Sequence, residues 1–311
     1  MSVDLSIVIC TRNRADRLEP MLRSLAALRS DRTWEVLLVD NASTDNTFAV
    51  LQNADDLAGR KRVLSAETVG LGAARDFAWR SATGEIITFT DDDCYVGPDF
   101  VNAVVTVFAE NPELACLGGR ILLYDPTDAR ITIDERETAE SIPDHTFVKA
   151  GTLQGANLSF RRNALEAIGG IDPALGAGTP FPCEDVDAVA ATVWAGLQAG
   201  FDPRPVIWHH HGRKSGDLPR LQREYDLGRG AYYAKHLLHK DRRFTYLKGW
   251  MHEALLWPSR VPREIVGAGR YFRHRGKLWA AIVLLPLALS IYTALMIRLA
   301  FRKIVLPAGR E

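Results

Sequence analysis

The sequence predicts a doubly wound α/β domain with a mostly parallel sheet, followed by a basic, helical C-terminal region. Four short apolar runs alternate with helical patterns within the first ninety residues, as in folds built from repeated strand–helix units. Residues 1–200 carry 17 Lys and Arg against 30 Asp and Glu, whereas residues 201–311 carry 21 against 8. A run of twenty uncharged residues, 278–297, is long enough to cross a bilayer.

The first predicted strand is a short apolar run rich in β-branched residues, which is typical of buried parallel strands, and the second is also of the buried type. The third is a weaker segment of three residues, and the fourth consists mostly of β-prone residues. Helical spacing of apolar residues follows each of the first two, and Gly70-Leu71-Gly72 opens a third helix before the last strand. The connections are short, as expected for a doubly wound sheet. The strands are residues 5–10, 34–40, 62–64 and 85–90.

Composition supports a folded protein in a reducing compartment. Hydrophobic residues make up 47% and charged residues 24% of the 311 residues, and the net charge is zero. These values are ordinary for a globular chain. No signal peptide is expected, since Asp4 interrupts the N-terminus and the first apolar run is short. Four widely spaced cysteines without a CxxC pair indicate neither a zinc site nor a disulfide framework: Cys10, Cys94, Cys116 and Cys183.

Polar clusters follow three of the strands directly, at residues 11–14, 40–41 and 91–93. Ligands of such sheets bind outside the carboxyl ends of the strands, so all three clusters should share one rim. Three adjacent aspartates repel one another, and an Asp-x-Asp pair offers the oxygen ligands that Mg²⁺ or Mn²⁺ prefers. A solvated acidic turn is the alternative. With no GxxxxGK[ST] and no GxGxxG after the first strand, an ATPase or a dinucleotide dehydrogenase is not supported.

Six segments then carry a resemblance: SIVICTRNR (6–14), VDNASTDNT (39–47), GLGAAR (70–75), GEIITFTDDD (84–93), GANLSFRR (155–162) and CEDVD (183–187). In this order and spacing they resemble the inverting family-2 glycosyltransferases, whose fold is of the GT-A type. The resemblance covers about residues 5–215 and says little about the sugar. It implies a divalent metal and a nucleoside-diphosphate sugar donor. One departure is Asn41, where the family commonly has a second Asp.

The resemblance assigns Asp91 and Asp93 as metal ligands, with His209 as the third ligand and His211 as the fallback. Arg213 and Lys214 follow the histidines and are suited to neutralising a leaving diphosphate. Asp92 is left for a sugar or structural contact. The residues predicted to bind the nucleotide sugar are Thr11, Arg12, Arg14, Asp40, Asn41, Arg75, Asp92, Arg213 and Lys214.

Acidic residues also open a helix after Cys183, where the helix dipole favours them without any catalytic role. Inverting sugar transfer needs one base that deprotonates the acceptor hydroxyl. In the family this base is the Asp of a Glu-Asp pair, which implies Asp185 as the base and Glu184 as a positioning residue. Asp187 is expected on the helix surface. The small-residue loop Gly155, Ala156 and Asn157 is predicted on the acceptor side, with a plain strand turn as the alternative.

Residues 98–108 are predicted to form a helix, and residues 114–123 a strand. Residues 125–145 are polar and rich in turn formers, and we expect an exposed excursion without chemistry. We therefore divide the chain into four parts: a catalytic domain (1–215), a basic and aromatic amphipathic helical region (216–277), a transmembrane or membrane-embedded helix (278–297) and a basic tail (298–311).

The chain from Leu218 onward indicates a membrane partner. Basic residues alternate with Tyr and Trp, yet no nucleic-acid-binding motif is present, so a surface lying against anionic lipid is predicted. A buried core helix is the alternative for 278–297. Both flanks of this run are basic, so the positive-inside rule does not give its orientation. Because Pro286 lies within the run, a kinked transmembrane span and a re-entrant hairpin are both compatible with the sequence.

These patterns predict an inverting, Mn²⁺- or Mg²⁺-dependent glycosyltransferase of the hexosyltransferase class. It would act on the cytoplasmic side of a cell inner membrane, in polysaccharide or cell-envelope biosynthesis. Its acceptor would be a hydroxyl of a lipid-linked or glycan molecule. One alternative is a nucleotidyltransferase acting on sugar phosphates, which normally has a Gly-rich basic loop after the first strand. Another is a non-catalytic nucleotide-sugar-binding membrane protein, against which the intact Asp91, Asp93 and Asp185 argue.

Overall fold

The structure is a computed structural model that describes residues 3–277 and four single positions, 279, 286, 290 and 293. The described residues between 3 and 277 form two compact units. The first comprises residues 3–179 and 183–218, and the second comprises residues 180–182 and 219–277. Each unit has its own buried core.

The first half of the first unit is a parallel layer of strands connected by helices. The strands run parallel in the order β3-β2-β1-β4. This confirms the four predicted strands, of which all but β2 extend by one or two residues because the pairing continues past the apolar runs. The elements are β1 (Val3–Thr11), α1 (Glu19–Ala26), β2 (Trp34–Asp40), α2 (Thr47–Gln52), β3 (Lys61–Ser65), α3 (Leu71–Ser81) and β4 (Gly84–Asp91).

The register of these strands confirms that the polar clusters share one rim. Thr11 at the end of β1 lies opposite Asp40 at the end of β2. On the other side of β1, Cys10 lies opposite Asp91 at the end of β4. The residues that follow the three strands therefore leave the sheet at one edge.

The second half of the first unit makes the sheet mixed rather than mostly parallel. From β4 the sheet continues in the order β8-β6-β9-β5, and β7 pairs with β9. Of these pairs, β6–β9 is parallel and the others are antiparallel. Because β8 follows a long excursion without a crossover helix, it can return antiparallel to β4. The elements are β5 (Cys94–Val96), α4 (Phe100–Glu110), β6 (Leu114–Leu123), β7 (Glu140–Ile142), β8 (Leu158–Arg161), α5 (Arg162–Ile168), α6 (Glu184–Trp194) and β9 (Gln198–His209).

The core of this unit lies between the sheet and α4. Phe100, Val104 and Phe108 recur at helical spacing and are buried with Ile7 of β1 and Val36 of β2. Burial of one such side chain stabilises the fold by about 1.5–3 kcal/mol. This core holds the strand ends that carry the polar rim.

A close backbone approach fixes the start of α3 at the same rim. A Cβ atom on Gly72 would lie 2.3 Å from the carbonyl oxygen of Leu175 and 2.5 Å from that of Asp172. Only glycine allows this approach. The preceding amide of Gly70 donates a hydrogen bond to Oδ1 of Asn41 at 2.8 Å. One turn further along α3, Arg75 reaches the end of β4.

The second unit contains three described helices, α7 (Leu218–Leu237), α8 (Arg243–Leu256) and α9 (Val261–His274). Helices α7 and α9 cross closely, since a Cβ on Gly230 would lie 1.8 Å from the carbonyl oxygen of Glu264. The buried core is largely aromatic and includes Tyr232, Tyr233, Tyr246, Trp250 and Tyr271.

This unit also buries charged groups, and they are paired. Asp226 forms ion pairs with Arg229 and Arg263. Glu264 accepts hydrogen bonds from Nε of Arg229 at 3.0 Å and from Nε1 of Trp250 at 2.8 Å. Buried carboxylates need such partners, because an isolated buried charge is costly.

Among the helices within the described residues, none combines the length and hydrophobicity that a membrane span needs. The predicted membrane helix, 278–297, and the basic tail, 298–311, lie outside the described residues apart from the four single positions. Membrane association of this end of the chain therefore stays a prediction.

Candidate active site

The acidic triplet at the end of β4 lies beside two arginines and a histidine. Nη2 of Arg75 donates a hydrogen bond to Oδ1 of Asp91 at 2.8 Å. Nη2 of Arg14 donates to Oδ2 of Asp93 at 2.8 Å, and Nε2 of His209 lies 3.3 Å from Oδ1 of the same carboxylate. Two guanidinium groups, from α3 and from the loop after β1, and an imidazole from β9 thus contact two of the aspartates.

Asp92 faces a different set of partners. Its carboxylate accepts hydrogen bonds from the hydroxyl of Thr11 and from Nη2 of Arg14, the latter at 2.9 Å. Asp92 therefore fastens the end of β4 to the segment after β1. This is the structural contact that the sequence left open for the middle residue of the triplet, and Thr11 and Arg14 take part in it.

The residues present fit a divalent cation. One ligand atom each from Asp91, Asp93, Cys94 and His209 lie within 4.8 Å of one another. Carboxylate oxygens and an imidazole nitrogen suit Mn²⁺ or Mg²⁺, while a thiol is a softer ligand. The two aspartates and His209 were predicted together, and Cys94 was not among the predicted ligands. Cys94 directly follows Asp93 in the chain and pairs with His209 in the sheet, so it lies beside both.

Electrostatics favour the ionised form of one of these carboxylates. Burial opposes ionisation of Asp93, but the hydrogen bond and charge of His209, together with Arg14, outweigh burial and lower the pKa of Asp93 to about 2. The same contact raises the pKa of His209 against the effect of burial. Ionised Asp93 therefore supplies the negative charge that a cation-binding site requires.

Two neighbouring histidines of the predicted set have different surroundings. His209 lies opposite Cys94 in the β5–β9 pair, which carries it to the rim. His211 is buried, and its Nε2 donates to the carbonyl oxygen of Ala129 at 3.0 Å while its Nδ1 accepts from the amide of Arg213 at 3.0 Å. Both ring nitrogens of His211 are thus used by the backbone, so the geometry favours His209 over the fallback.

At the end of β2, Asp40 and Asn41 differ in whether their side chains are available to bind a ligand. Asp40 is buried, and its Oδ1 has no hydrogen-bond partner among the described residues. A buried acceptor without a partner suits a bound ligand that donates a hydrogen bond. The Nδ2 group of Asn41 donates to the carbonyl oxygens of Ala66 and Thr68, and its Oδ1 accepts from Gly70. Asn41 holds the loop before α3, and its contact with a nucleotide stays a prediction.

Arg75 lies at the centre of the site. Its side chain is 4% exposed, and its guanidinium donates to Asp91, to Oε1 of Glu184 at 2.8 Å and to the carbonyl oxygen of Gly155 at 3.0 Å. The sequence predicted Arg75 as a nucleotide-sugar contact. The structure instead gives its guanidinium three partners within the protein, which ties the end of β4 to the start of α6.

Asp185 sits beside this network. Its Oδ2 accepts a hydrogen bond from the amide of Gly155 at 2.9 Å, and its Oδ1 accepts one from the amide of Val186 at 2.8 Å. A Cβ on Gly155 would lie 2.5 Å from Nη1 of Arg75 and 3.1 Å from Cβ of Asp185. Glycine is therefore required where the loop passes between the arginine and the carboxylate.

Glu184 is the buried member of the acidic pair. Burial raises its pKa, Arg75 opposes the rise, and the charge of Asp185 adds to it, so that the pKa of Glu184 is about 7. Asp187 is also buried, which makes its predicted place on the helix surface wrong. Residue 187 lies one turn beyond Cys183, on the face of α6 that packs inward.

The other two residues that were predicted on the acceptor side are more buried than expected. Ala156 and Asn157 are buried, and Nδ2 of Asn157 donates to the carbonyl oxygens of Arg120 and Pro205, each at 3.0 Å. These contacts bridge neighbouring strands of the sheet. Of the three loop residues, Gly155 is the one that touches Asp185.

The remaining cations that were predicted to bind phosphate differ in their exposure and in their contacts. Arg12 is exposed, and its Nε lies 3.4 Å from the carbonyl oxygen of Ala42. Nζ of Lys214 donates to Oδ1 of Asp128 and to the hydroxyl of Thr127, each at 2.6 Å. Arg213 is partly exposed. Contacts of these cations with a diphosphate stay predictions.

The excursion after β6 contributes more to the site than its sequence indicated. Asp128 and Ala129 are buried rather than exposed, and Thr132 lies 3.2 Å from Nδ1 of His209. This contact orients the imidazole so that Nε2 faces Asp93. Turn-rich composition alone gave no signal for such a supporting role.

Comparisons with known proteins agree with this fold and site. Residues 6–169, a little over half of the chain, match the family described as Glycosyl transferase family 2. The Pre-mycofactocin glycosyltransferase of Mycobacterium tuberculosis is 24% identical over 222 residues, which are 67% of this chain and 43% of that protein. Glycosyltransferase AglE of Haloferax volcanii is 24% identical over 234 residues, or 73% and 72% of the two chains. This chain spans about half the length of several curated relatives.

Solved structures share the fold at low sequence identity. The mannosyltransferase PcManGT from Pyrobaculum calidifontis, in complex with GDP-Man and Mn²⁺, superposes with a TM-score of 0.59 at 20% identity, covering 95% of this chain and 86% of that one. TarS residues 1–349 of S. aureus, in complex with UDP, gives 0.58 at 17% identity, covering 94% and 89%. The fold is thus that of the GT-A type. Together with the match over residues 6–169, these findings establish that the chain belongs to glycosyl transferase family 2.

Proposed function

We propose that the protein is an inverting glycosyltransferase that transfers a sugar from a nucleoside-diphosphate donor to a hydroxyl group. The observation that carries this proposal is the position of Asp185. Its carboxylate is held by the amides of Gly155 and Val186, and Gly155 also binds Arg75, which contacts the acidic rim through Asp91. One base and one donor-binding rim thus lie on adjoining elements.

The donor side is supported by the polar groups after β1 and β2. Asp40 offers a buried acceptor oxygen that has no partner within the described residues, which suits a hydrogen bond from a base or ribose. Arg12 and Arg14 supply positive charge at the same rim. Related folds bind GDP-Man with Mn²⁺ in one case and UDP in another, so we infer a uridine or guanosine diphosphate sugar as the donor.

Asp91, Asp93 and His209 are the residues that would hold a divalent cation, which supplies positive charge to the diphosphate as it leaves. The remaining chemistry belongs to the protein. Asp185 accepts the proton of the acceptor hydroxyl while that oxygen forms a bond to the anomeric carbon. The bond from this carbon to the diphosphate oxygen breaks on the opposite face, so the anomeric configuration inverts.

Glu184 and Arg75 are positioning residues, which hold the base in place relative to the donor rim. Arg75 holds Glu184, Asp91 and the carbonyl of Gly155 in one arrangement, so the start of α6 cannot shift without disturbing the end of β4. This keeps the base at a constant distance from the donor rim, which is the geometric requirement of a single displacement.

The acceptor is proposed to be a lipid-linked or glycan hydroxyl at the cytoplasmic side of a membrane, with membrane lipids as a second partner. Support comes from the basic composition of the second unit: residues 219–277 hold 14 Lys and Arg against 5 Asp and Glu. Such a balance favours anionic surfaces. The uncharged run at 278–297 is a further reason for this assignment.

The experiment is transfer by the Asp185→Asn variant, with release of nucleoside diphosphate measured for a panel of nucleotide sugars with Mn²⁺ and with a chelator. Loss of the base is expected to reduce turnover at least about a hundredfold, while the Kd for the nucleoside diphosphate stays within about twofold. The matched control is Asp56→Asn, an exposed aspartate in the same unit. Full turnover by Asp185→Asn would contradict the base assignment. Formation of nucleoside triphosphate and sugar 1-phosphate from a nucleotide sugar only when pyrophosphate is added would indicate a nucleotidyltransferase instead.

A further inference from the structure

The outward side of α8 is apolar. Phe244 is 77% exposed, Leu255 44% and Leu256 55%. Leu247 and Met251 are partly exposed at the helical positions between them. Residues three and four apart share one side of a helix, so Phe244, Leu247, Met251 and Leu255 form a stripe along the outside of α8. Leu256, exposed next to Leu255 in the last turn, widens its C-terminal end. We call this set the outer stripe.

The opposite side of the same helix is already used. Tyr246, Trp250 and Ala254 are buried in the core of the second unit. A helix on the surface of a globular unit normally has one apolar side, which faces the core. Helix α8 has two, and the outer stripe has no core to cover it among the described residues. A contiguous exposed apolar surface of this kind marks an interaction site.

Positive charge surrounds the outer stripe. Lys248 lies on the same side of α8 and is exposed. At the C-terminal end, the guanidinium of Arg260 lies 4.3 Å from the ring centre of Trp257, which is itself 47% exposed. At the N-terminal end, Lys240 is exposed and precedes the helix. An apolar strip bordered by cations and an exposed Trp is the composition of helices that lie in a lipid interface.

The acidic residues of this unit are largely withdrawn from its surface. Of the five in residues 219–277, Asp226, Glu253 and Glu264 are buried. Exposed Asp241 lies 3.4 Å from the guanidinium of Arg242, and Glu224 on α7 is the other exposed one. The excess of basic over acidic residues is therefore larger at the surface of this unit than in its composition, which favours an anionic partner.

We propose that the outer stripe is the surface by which this protein docks on an anionic lipid bilayer, with the apolar side chains inserted and Lys248 and its basic neighbours at the headgroups. The proposal rests on the proposed function only in taking a membrane as the partner. It names the part of the chain that makes the contact, and its test involves no sugar transfer. Either proposal can therefore fail alone.

Charge favours lipid over a second copy of the chain as the occupant. A symmetric dimer through the outer stripe would place each basic border against its own copy, and like charges facing each other are unfavourable. An anionic headgroup layer neutralises the same border. Each Lys or Arg near such a surface contributes attraction that falls with added salt.

The decisive experiment measures the depth of α8 in vesicles. The full chain carries an environment-sensitive fluorophore at Leu256→Cys or, as the matched control, at Gln222→Cys, an exposed position on α7. Unsubstituted protein, treated identically, gives the background labelling of the native cysteines. Vesicles contain phosphatidylcholine alone or with phosphatidylglycerol, and nitroxide-labelled lipids serve as quenchers.

We expect quenching and a blue shift at residue 256 with phosphatidylglycerol present, and neither at residue 222. Replacing Phe244 or Leu256 by Ser should weaken binding by about tenfold each, and Lys248→Glu by about fivefold or more. Phe77→Ser, which removes an exposed phenylalanine from α3, should leave the affinity for vesicles unchanged.

Four outcomes would overturn the proposal. One is bound protein whose label at residue 256 remains unquenched, and another is equal quenching at both positions. The third is Ser variants that bind vesicles normally but lose thermal stability or dimerise less, which would assign the outer stripe to another segment of the chain or to a second copy. Absence of any vesicle binding by the full chain would also refute it.

Discussion

Replacement of Arg75 by Met tests whether this buried arginine holds the site together. The substitution keeps an unbranched apolar stem of similar length and removes the guanidinium. Asp91, Glu184 and the carbonyl of Gly155 then each lose a donor at 2.8, 2.8 and 3.0 Å, respectively. Because the Arg75 side chain is 4% exposed, water does not readily replace these contacts.

The expected loss of unfolding free energy depends on which of the groups left without a donor can compensate for it. Removing one partner of a buried ion pair costs about 3–5 kcal/mol. Glu184 can relieve part of this loss by taking up a proton, since its pKa is already about 7 in the presence of Arg75. We therefore expect the lower end, about 3 kcal/mol of unfolding free energy at neutral pH.

The measurement is urea unfolding at neutral pH with a chelator present, followed by circular dichroism, for a double-mutant cycle of Arg75→Met and Glu184→Gln. Since neutral Gln needs no counter-charge, the double variant should recover about 1–2 kcal/mol as coupling energy. Arg80→Met is the matched control on the same helix. Its guanidinium pairs with Asp76 at 3.0 Å and is 52% exposed, so the loss should stay below about 1 kcal/mol.

Equal destabilisation by Arg75→Met and Arg80→Met would refute this reasoning. So would additive effects of Arg75→Met and Glu184→Gln, because additivity would mean that the two side chains do not interact. A large loss of sugar transfer without any loss of stability would place Arg75 in direct contact with the donor instead, as the sequence alone implied.

Further predictions concern titration, metal binding and packing. The raised pKa of Glu184 means that the folded state binds its proton more tightly, so stability should be lost as pH rises from about 4.5 through 7, and Glu184→Gln should flatten this slope in urea titrations with chelator. Asp93→Asn should weaken Mn²⁺ binding about tenfold or more, measured by the electron paramagnetic resonance signal of free Mn²⁺, whereas unchanged affinity would exclude this ligand. Gly230→Ala should cost about 1–3 kcal/mol by overpacking against Glu264, whereas Gly216→Ala, where a Cβ meets open space, should leave the urea midpoint unchanged.

The parallel half of the fold could be predicted because its signals are local. The strands at 5–10, 34–40 and 85–90 are short segments rich in apolar or β-prone residues, and polar residues end or follow each of them. Parallel pairing then places Thr11, Asp40 and Asp91 at one edge without any knowledge of long-range contacts. The antiparallel half could not be predicted in this way, because the direction of β8 depends on how the excursion after β6 returns.

The candidate metal ligands show the same division. Asp91 and Asp93 follow a strand in the sequence, so their position was predictable. His209 was predicted through the resemblance, and the β5–β9 register is what places it near them. Cys94 was missed although it directly follows Asp93, because a lone cysteine without a CxxC partner gives no metal-site signal.

Sequence by itself therefore determined the family, through its motifs, and the shared rim with the acidic groups that it presents, because these depend on short strands and the residues that end them. Tertiary structure alone decided the order of the strands and how each polar group is used. It buried Arg75 among Asp91, Glu184 and Gly155, engaged Asn41 with backbone and left Oδ1 of Asp40 without a hydrogen-bond partner in the part of the chain that the structure describes. Hydrogen bonds between residues distant in the chain are not encoded in any local pattern, so only the folded arrangement could show them.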